Sequence, residues 1–148
     1  MRFNQSLLIV FAMGLISCDS DDYPYANIPS VVLNKFEMHY PKAQEADFKK
    51  KDKLYEVSFE IEEVDYKADI DEIGSIRREK YETAINEFPK EVTGELLKTY
   101  DTVKLKKPEI LRNADGVYFQ VKLDRLFKDE LIVLDKEGKT LPNINYWK

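Results

Sequence analysis

Apolar residues recur along this chain in two rhythms. Val32, Phe36 and Tyr40 stand at i, i+4 and i+8, which places them on one face of a helix, and Val92, Leu96 and Tyr100 repeat that spacing 60 residues later. A proline, Pro29 or Pro89, precedes each trio at a place where its missing N–H costs a helix nothing. The pattern predicts helices over 29–40 and 89–100. Gly94 weakens the second, since glycine costs about 1 kcal/mol relative to alanine inside a helix.

Between and beyond the helices apolar and polar residues alternate, as they do along half-buried strands. Tyr55, Val57 and Phe59 recur as Phe119, Val121 and Leu123 at an offset of 64, and the match continues from Ala68 to Ile132, Ile70 to Leu134, Asp71 to Asp135 and Gly74 to Gly138. Strands are expected over 43–50, 54–63, 65–72 and 75–82, then over 103–112, 117–124, 130–135 and 139–145. The change of offset from 60 to 64 implies four extra residues within LKKPEILRNADG, a cheap place for an insertion if it is a loop. The expected fold is α+β, with two tandem repeats over 28–83 and 84–148, each a helix packed on a three- to four-stranded antiparallel sheet.

If the matched apolar residues face the helices, their neighbours face the other way. That second face shows Glu56, Ser58, Glu60, Lys67, Asp69 and Asp71 in the first half, a charged surface that water would satisfy. In the second half it shows Tyr118, Leu131 and Val133, an apolar and aromatic patch that is the candidate partner-binding surface. The competing reading is that residues 141–147 fold back over the patch and make it core. Trp147 has no counterpart in the first half.

Ahead of the first helix the rhythm stops. Arg2 followed by the apolar stretch 6–16 reads as a targeting segment, too short to span a bilayer that needs about 20 residues. Leu15, Ile16, Ser17 and Cys18 resemble the lipobox of bacterial lipoprotein precursors. The resemblance implies a signal peptide over 1–17, cleavage before Cys18, acylation of Cys18, and a tether over 18–27. Asp19, Ser20, Asp21 and Asp22 look like the acidic export signal that carries some Gram-negative lipoproteins to the outer face of the outer membrane; they read also as a solvated spacer. The expected location is the outer membrane, on its periplasmic side or at the cell surface, with the membrane touched through the lipid alone.

Composition narrows the chemistry. The 148 residues are 43% hydrophobic, enough for a core, and carry a formal net charge of −5, which disfavours nucleic acid as a partner. Cys18 and His39 are single, so no disulfide and no cysteine or histidine metal cluster can form within the chain. Asp69, Asp71 and Gly74 fit positions 1, 3 and 6 of a calcium loop, but Ile73 and Lys80 occupy positions 5 and 12, where acidic ligands belong. A hairpin turn with glycine at positive φ is the better reading. No nucleophile, base and orienting group stand in a recognisable pattern, so an enzyme is not expected, nor a cofactor. The lysines at 49, 50, 51 and 53 decorate a hairpin tip, with docking of an acidic partner as the alternative.

A helix ending in Tyr40, Pro41, Lys42 and Ala43, followed by the strand Tyr55, Glu56, Val57, resembles the PepSY-like family. More narrowly, it is similar to two-repeat lipoproteins described as beta-lactamase-inhibitor-like and PepSY-like. The resemblance spans 28–141 and includes DIDEIGSI and LDKEGKTL; it departs at Thr99, Tyr100, Asp101 and Thr102, which lack the proline and alanine of the first copy. It implies a binding role. The expectation is therefore a non-enzymatic, lipid-anchored envelope protein that binds an envelope or extracellular protein or peptide, with inhibition of a protease or hydrolase as one form of that role. The alternative is a small-ligand or glycan-binding accessory lipoprotein of an uptake system, which would call for paired exposed aromatics in a groove.

Overall fold

Two ten-residue helices lie on the same face of one antiparallel sheet in a computed structural model that describes residues 25–148. Helix α1 runs Ser30–His39 and leads into strands β1 Gln44–Lys51, β2 Leu54–Ile61, β3 Val64–Asp71 and β4 Ile76–Glu82. Helix α2 runs Lys90–Thr99 and leads into β5 Leu105–Asn113, β6 Gly116–Leu123 and β7 Glu130–Leu134. Each strand pairs with its sequence neighbour, so the seven lie in the order β1 to β7. The fold is α+β, with a seven-stranded antiparallel sheet and two helices.

Both helices begin at their prolines, whose carbonyls accept the first helical N–H groups, Val32 and Leu33 at Pro29 and Thr93 at Pro89. Pro41 ends the first by holding Tyr40 out of helical geometry, at φ −122° and ψ 65°. The stripe then packs as its spacing requires. Val32, Phe36 and Tyr40 are buried with Phe48, Tyr55, Val57, Phe59, Ala68 and Ile70. The second cluster joins Val92 and Leu96 to Phe119, Val121, Leu123, Ile132 and Leu134, with half-buried Tyr100 at its edge. The two clusters meet where Tyr66 of β3 stacks on Tyr81 of β4, ring centroids 5.2 Å apart.

Register explains the change of offset. Lys51 faces Leu54 across the β1–β2 hairpin, whereas Leu111, 60 residues on, faces Tyr118 across β5–β6. The four extra residues are therefore Arg112, Asn113, Gly116 and Val117, two on each arm of a longer hairpin rather than a loose loop. Arg112 and Asn113 then pair with Glu79 and Arg78 of β4, supplying two of the five residue pairs that join the two halves of the sheet.

Two expected strands differ. The one expected from 103 begins at Leu105, because Asp101 accepts a hydrogen bond from the Val103 N–H and winds Thr102–Lys104 into a short 3₁₀ turn. The one expected over 139–145 is absent: a bridge between Leu134 and Thr140 is followed by Pro142, which has no N–H to continue a ladder.

Asp71 and Asp135 make the same turn. In each the side chain accepts two backbone N–H groups, from Ile73 and Ser75 or from Glu137 and Lys139, while Gly74 and Gly138 stand at φ +82°. The DIDEIG segment is thus a turn built on backbone donors.

Candidate functional site

Strand alternation sends one set of side chains away from the helices, and register arranges that set in rows. Glu56, Asp69 and Arg78 form one row across β2, β3 and β4. Ser58, Lys67, Lys80, Leu111 and Tyr118 form the next, and Glu82, Glu109, Gln120 and Val133 the third.

This helix-free face is not the water-satisfied surface that its charges suggest. Glu56, Asp69, Asp71, Lys80, Glu109 and Gln120 are buried, each against a charged or polar neighbour. Burial pushes the Glu56 carboxyl up, but Lys51 at 2.8 Å and Lys67 at 3.5 Å outweigh it and hold the group below its usual range. At Asp69 burial wins over the Arg78 guanidinium 2.6 Å away, and the carboxyl is raised. Burial likewise lowers the Lys80 ammonium more than Glu109, at 2.8 Å, supports it.

Much of the cover is a strap formed by residues 141–148. It leaves β7 where the Leu141 N–H donates to the Val133 carbonyl at 2.8 Å, and it reaches the centre of the sheet at Trp147. The Trp147 N–H donates to Gln120 Oε1 at 3.0 Å, and its carbonyl accepts from Gln120 Nε2 at 3.2 Å and from Lys80 Nζ at 2.7 Å. Its ring lies under the Arg78 guanidinium, 4.0 Å from carbon to centroid. Glu109 ties the floor together, accepting from Lys80 and Gln120 at 2.8 Å and from the Tyr146 hydroxyl at 3.1 Å. Burial and the Glu109 charge push that hydroxyl's pKa well up.

The strap separates two grooves. One, of about 360 Å³, is lined by Glu45, Asp47, Glu60, Asp65 and Glu82 together with Lys67. The other, of about 470 Å³, carries Lys122, Lys128 and Leu131, with Asp129 paired to Lys122 at 2.6 Å. Lys80, Lys107, Glu109 and Lys148 border both.

Of the residues expected to bind a partner, Leu131 is 40% exposed, Tyr118 is half-buried and Val133 is buried. The chain from Leu141 is bonded to the Val133 carbonyl at the buried end of this set. Cys18, Asp19, Ser20, Asp21 and Asp22 lie outside the described residues. Sequence reading missed Leu126 and Phe127, which stand 90% and 95% exposed in the turn between β6 and β7. They belong to neither periodicity; their signal was two large apolar residues set between Arg125 and Lys128.

His39 lies half-exposed with Nε2 3.8 Å from Glu79, whose carboxylate accepts from the Tyr40 hydroxyl at 2.5 Å. This is a helix-end contact. Among the described residues no group of His, Cys, Asp and Glu side chains is placed to hold a metal ion, and no helix is long and apolar enough to cross a membrane.

No family model matches the chain, and no curated protein matches it significantly. Solved structures do. A Bacteroides eggerthii protein described as periplasmic superposes with a TM-score of 0.70 at 12% identity, covering 76% of this chain and 85% of its own. A BLIP-like protein of Bacteroides fragilis gives 0.66 at 16% identity over 80% of this chain and 92% of its own. A DUF2874 family protein of Bacteroides ovatus gives 0.67 at 14%, covering 76% and 84%. These likenesses establish a shared fold.

Proposed function

We propose that the protein is a non-enzymatic, lipid-anchored protein of the bacterial envelope that binds a protein or peptide partner through the helix-free face of its sheet. The observation that carries this reading is the pair Leu126 and Phe127, almost fully exposed in the chain just ahead of Lys128 and Leu131, which line a groove where Lys107, Lys122 and Lys128 outnumber Asp129. Large apolar side chains held in water beside a net excess of lysine suit a partner with an apolar socket and an acidic rim. The lipobox-like residues 15–18 and the fold shared with a protein described as periplasmic support the envelope. The matched offsets support descent from a duplicated unit, and the fold shared with a BLIP-like protein adds inhibition of a hydrolase as one form that binding could take. A glycan-binding role would use paired open aromatic rings; here Tyr146 and Trp147 are engaged with Glu109 and Arg78.

Affinity capture from envelope extract tests the reading, with the mature protein and its Leu126→Ser, Phe127→Ser double variant as baits and mass spectrometry as readout. A protein captured by the first and lost from the second, at an unchanged melting temperature, is expected. Recovery of a sugar or metabolite and no protein would overturn it.

A further inference from the structure

Gln120, Lys80 and Glu109 are polar side chains sunk into the middle of a sheet face, exposed by 0%, 7% and 9%. Buried polar groups of this kind are costly unless hydrogen-bonded, and here the strap completes their bonding. What the strap offers them is generic. The Gln120 amide presents an acceptor and a donor to the N–H and C=O of a single residue, as an adjoining β-strand would, and Lys80 adds a second donor to that carbonyl. Two aromatic side chains add to it, the Trp147 ring under Arg78 and the Tyr146 hydroxyl on Glu109. Backbone pairing with pockets for alternate side chains is how proteins read extended peptides.

The strap is also built to be separable. It is attached where Leu141 bonds to Val133 of β7 and docked at 146–148, while Pro142, Asn143 and Asn145 between the two points are exposed. We infer that the surface beneath Trp147 is a receptor for an extended, aromatic-bearing peptide segment, filled in cis by residues 146–148 and open to a segment of the same chemistry supplied in trans.

Direction follows from charge. Tyr146 borders the groove in which lysines outnumber carboxylates, and Lys148 reaches the one in which carboxylates outnumber lysines, where its carbonyl accepts from Lys67 at 3.3 Å. A competing segment is favoured by acidic residues before its aromatic residue and basic residues after it.

This inference rests on the peptide-binding reading above and is tested separately from it. A protease site inserted at Asn143 in the full chain is cut after folding, and binding of a fluorescent peptide with the sequence of residues 144–148 is followed by anisotropy. The cut protein is expected to bind at least 10-fold more tightly than the uncut one. Gln120→Leu in the cut protein, or alanine at the peptide's tryptophan, should each weaken binding 10-fold or more. Equal binding to cut and uncut protein, no binding to a cut protein that keeps its folded circular dichroism, or indifference to the tryptophan would each overturn the inference. If cutting unfolds the protein, uncut Trp147→Ala replaces it, and failure of that folded variant to take up the peptide overturns the inference equally. Envelope capture that depends on Phe127 while the peptide fails would leave the broader reading standing; loss of both would remove it.

Discussion

Gly138 stands so close to Glu91 that a β-carbon on it would lie 2.9 Å from the Glu91 carbonyl oxygen, and Gly74 stands in the same way to Val31, at 3.0 Å. Both glycines sit at φ +82°, so each helix rests on a turn that another residue would both strain and push away. Gly138→Ala and Gly74→Ala should each cost about 1–3 kcal/mol in urea denaturation. Gly94→Ala, in α2 with nothing within 4 Å of an added β-carbon, should instead add up to about 1 kcal/mol.

Truncation of the helical stripes should be expensive. Phe36, packed on Phe48 and Phe59 with ring centroids 5.3 and 5.0 Å away, and fully buried Leu96 should each cost about 2–5 kcal/mol as alanine. His39→Ala should leave the melting temperature nearly unchanged, since its side chain is half-exposed.

Lys80 and Glu109 form a buried pair that also serves Gln120, Tyr146 and Trp147. Lys80→Met alone should cost about 3–5 kcal/mol by leaving the carboxylate without its cation, and Glu109→Leu added to it should recover part of the loss. A urea double-mutant cycle measures the coupling.

Acid should weaken the first glycine turn. Burial alone would raise the Asp71 carboxyl, but the Ser75 N–H, Arg77 at 2.6 Å and the Ile73 N–H outweigh it and hold the group below its ordinary 3.8. A carboxyl depressed by folding adds stability above its unfolded value and loses it as pH falls through the folded one. Glu56 acts in the same sense, and Asp69, which is raised, in the opposite. The urea midpoint should fall between pH 5 and pH 2, and less steeply in Asp71→Asn.

The proposed lipid anchor is tested apart from folding. Fatty-acid label should mark the native protein, and Cys18→Ala should abolish both the label and membrane fractionation. Replacing Asp19, Asp21 and Asp22 with alanine should keep the label and reduce protease shaving of whole cells; retention of label in Cys18→Ala would refute the lipid anchor.

The helices, the inward residues of the strands and the two glycine turns were legible because periodicity reports which side of an element is buried. Val57 and Val121 alternate as they pack, and Pro29 and Pro89 mark the helix starts. Periodicity does not report what covers the other side. That Glu56 and Asp69 are buried depends on lysines and an arginine on other strands, and the place of Trp147 depends on Lys80, 67 residues away. The exposed pair Leu126 and Phe127 was invisible for the opposite reason: it lies in a turn, outside any repeating pattern.

The meander order of the sheet sets a sequence of events as well as a shape. Every strand pair joins neighbours in the chain, and all but β4–β5, which closes around α2, do so through short loop closures, which are the fast ones. The strap departs further: its bonds to Lys80 and Lys67 close loops of 67 and 81 residues. It can dock only on a sheet already assembled, and it should come off before that sheet opens. The indole N–H and the backbone amide of Trp147 should therefore exchange with solvent well ahead of the amides of β3 and β6, leaving a population of molecules that are folded yet unstrapped.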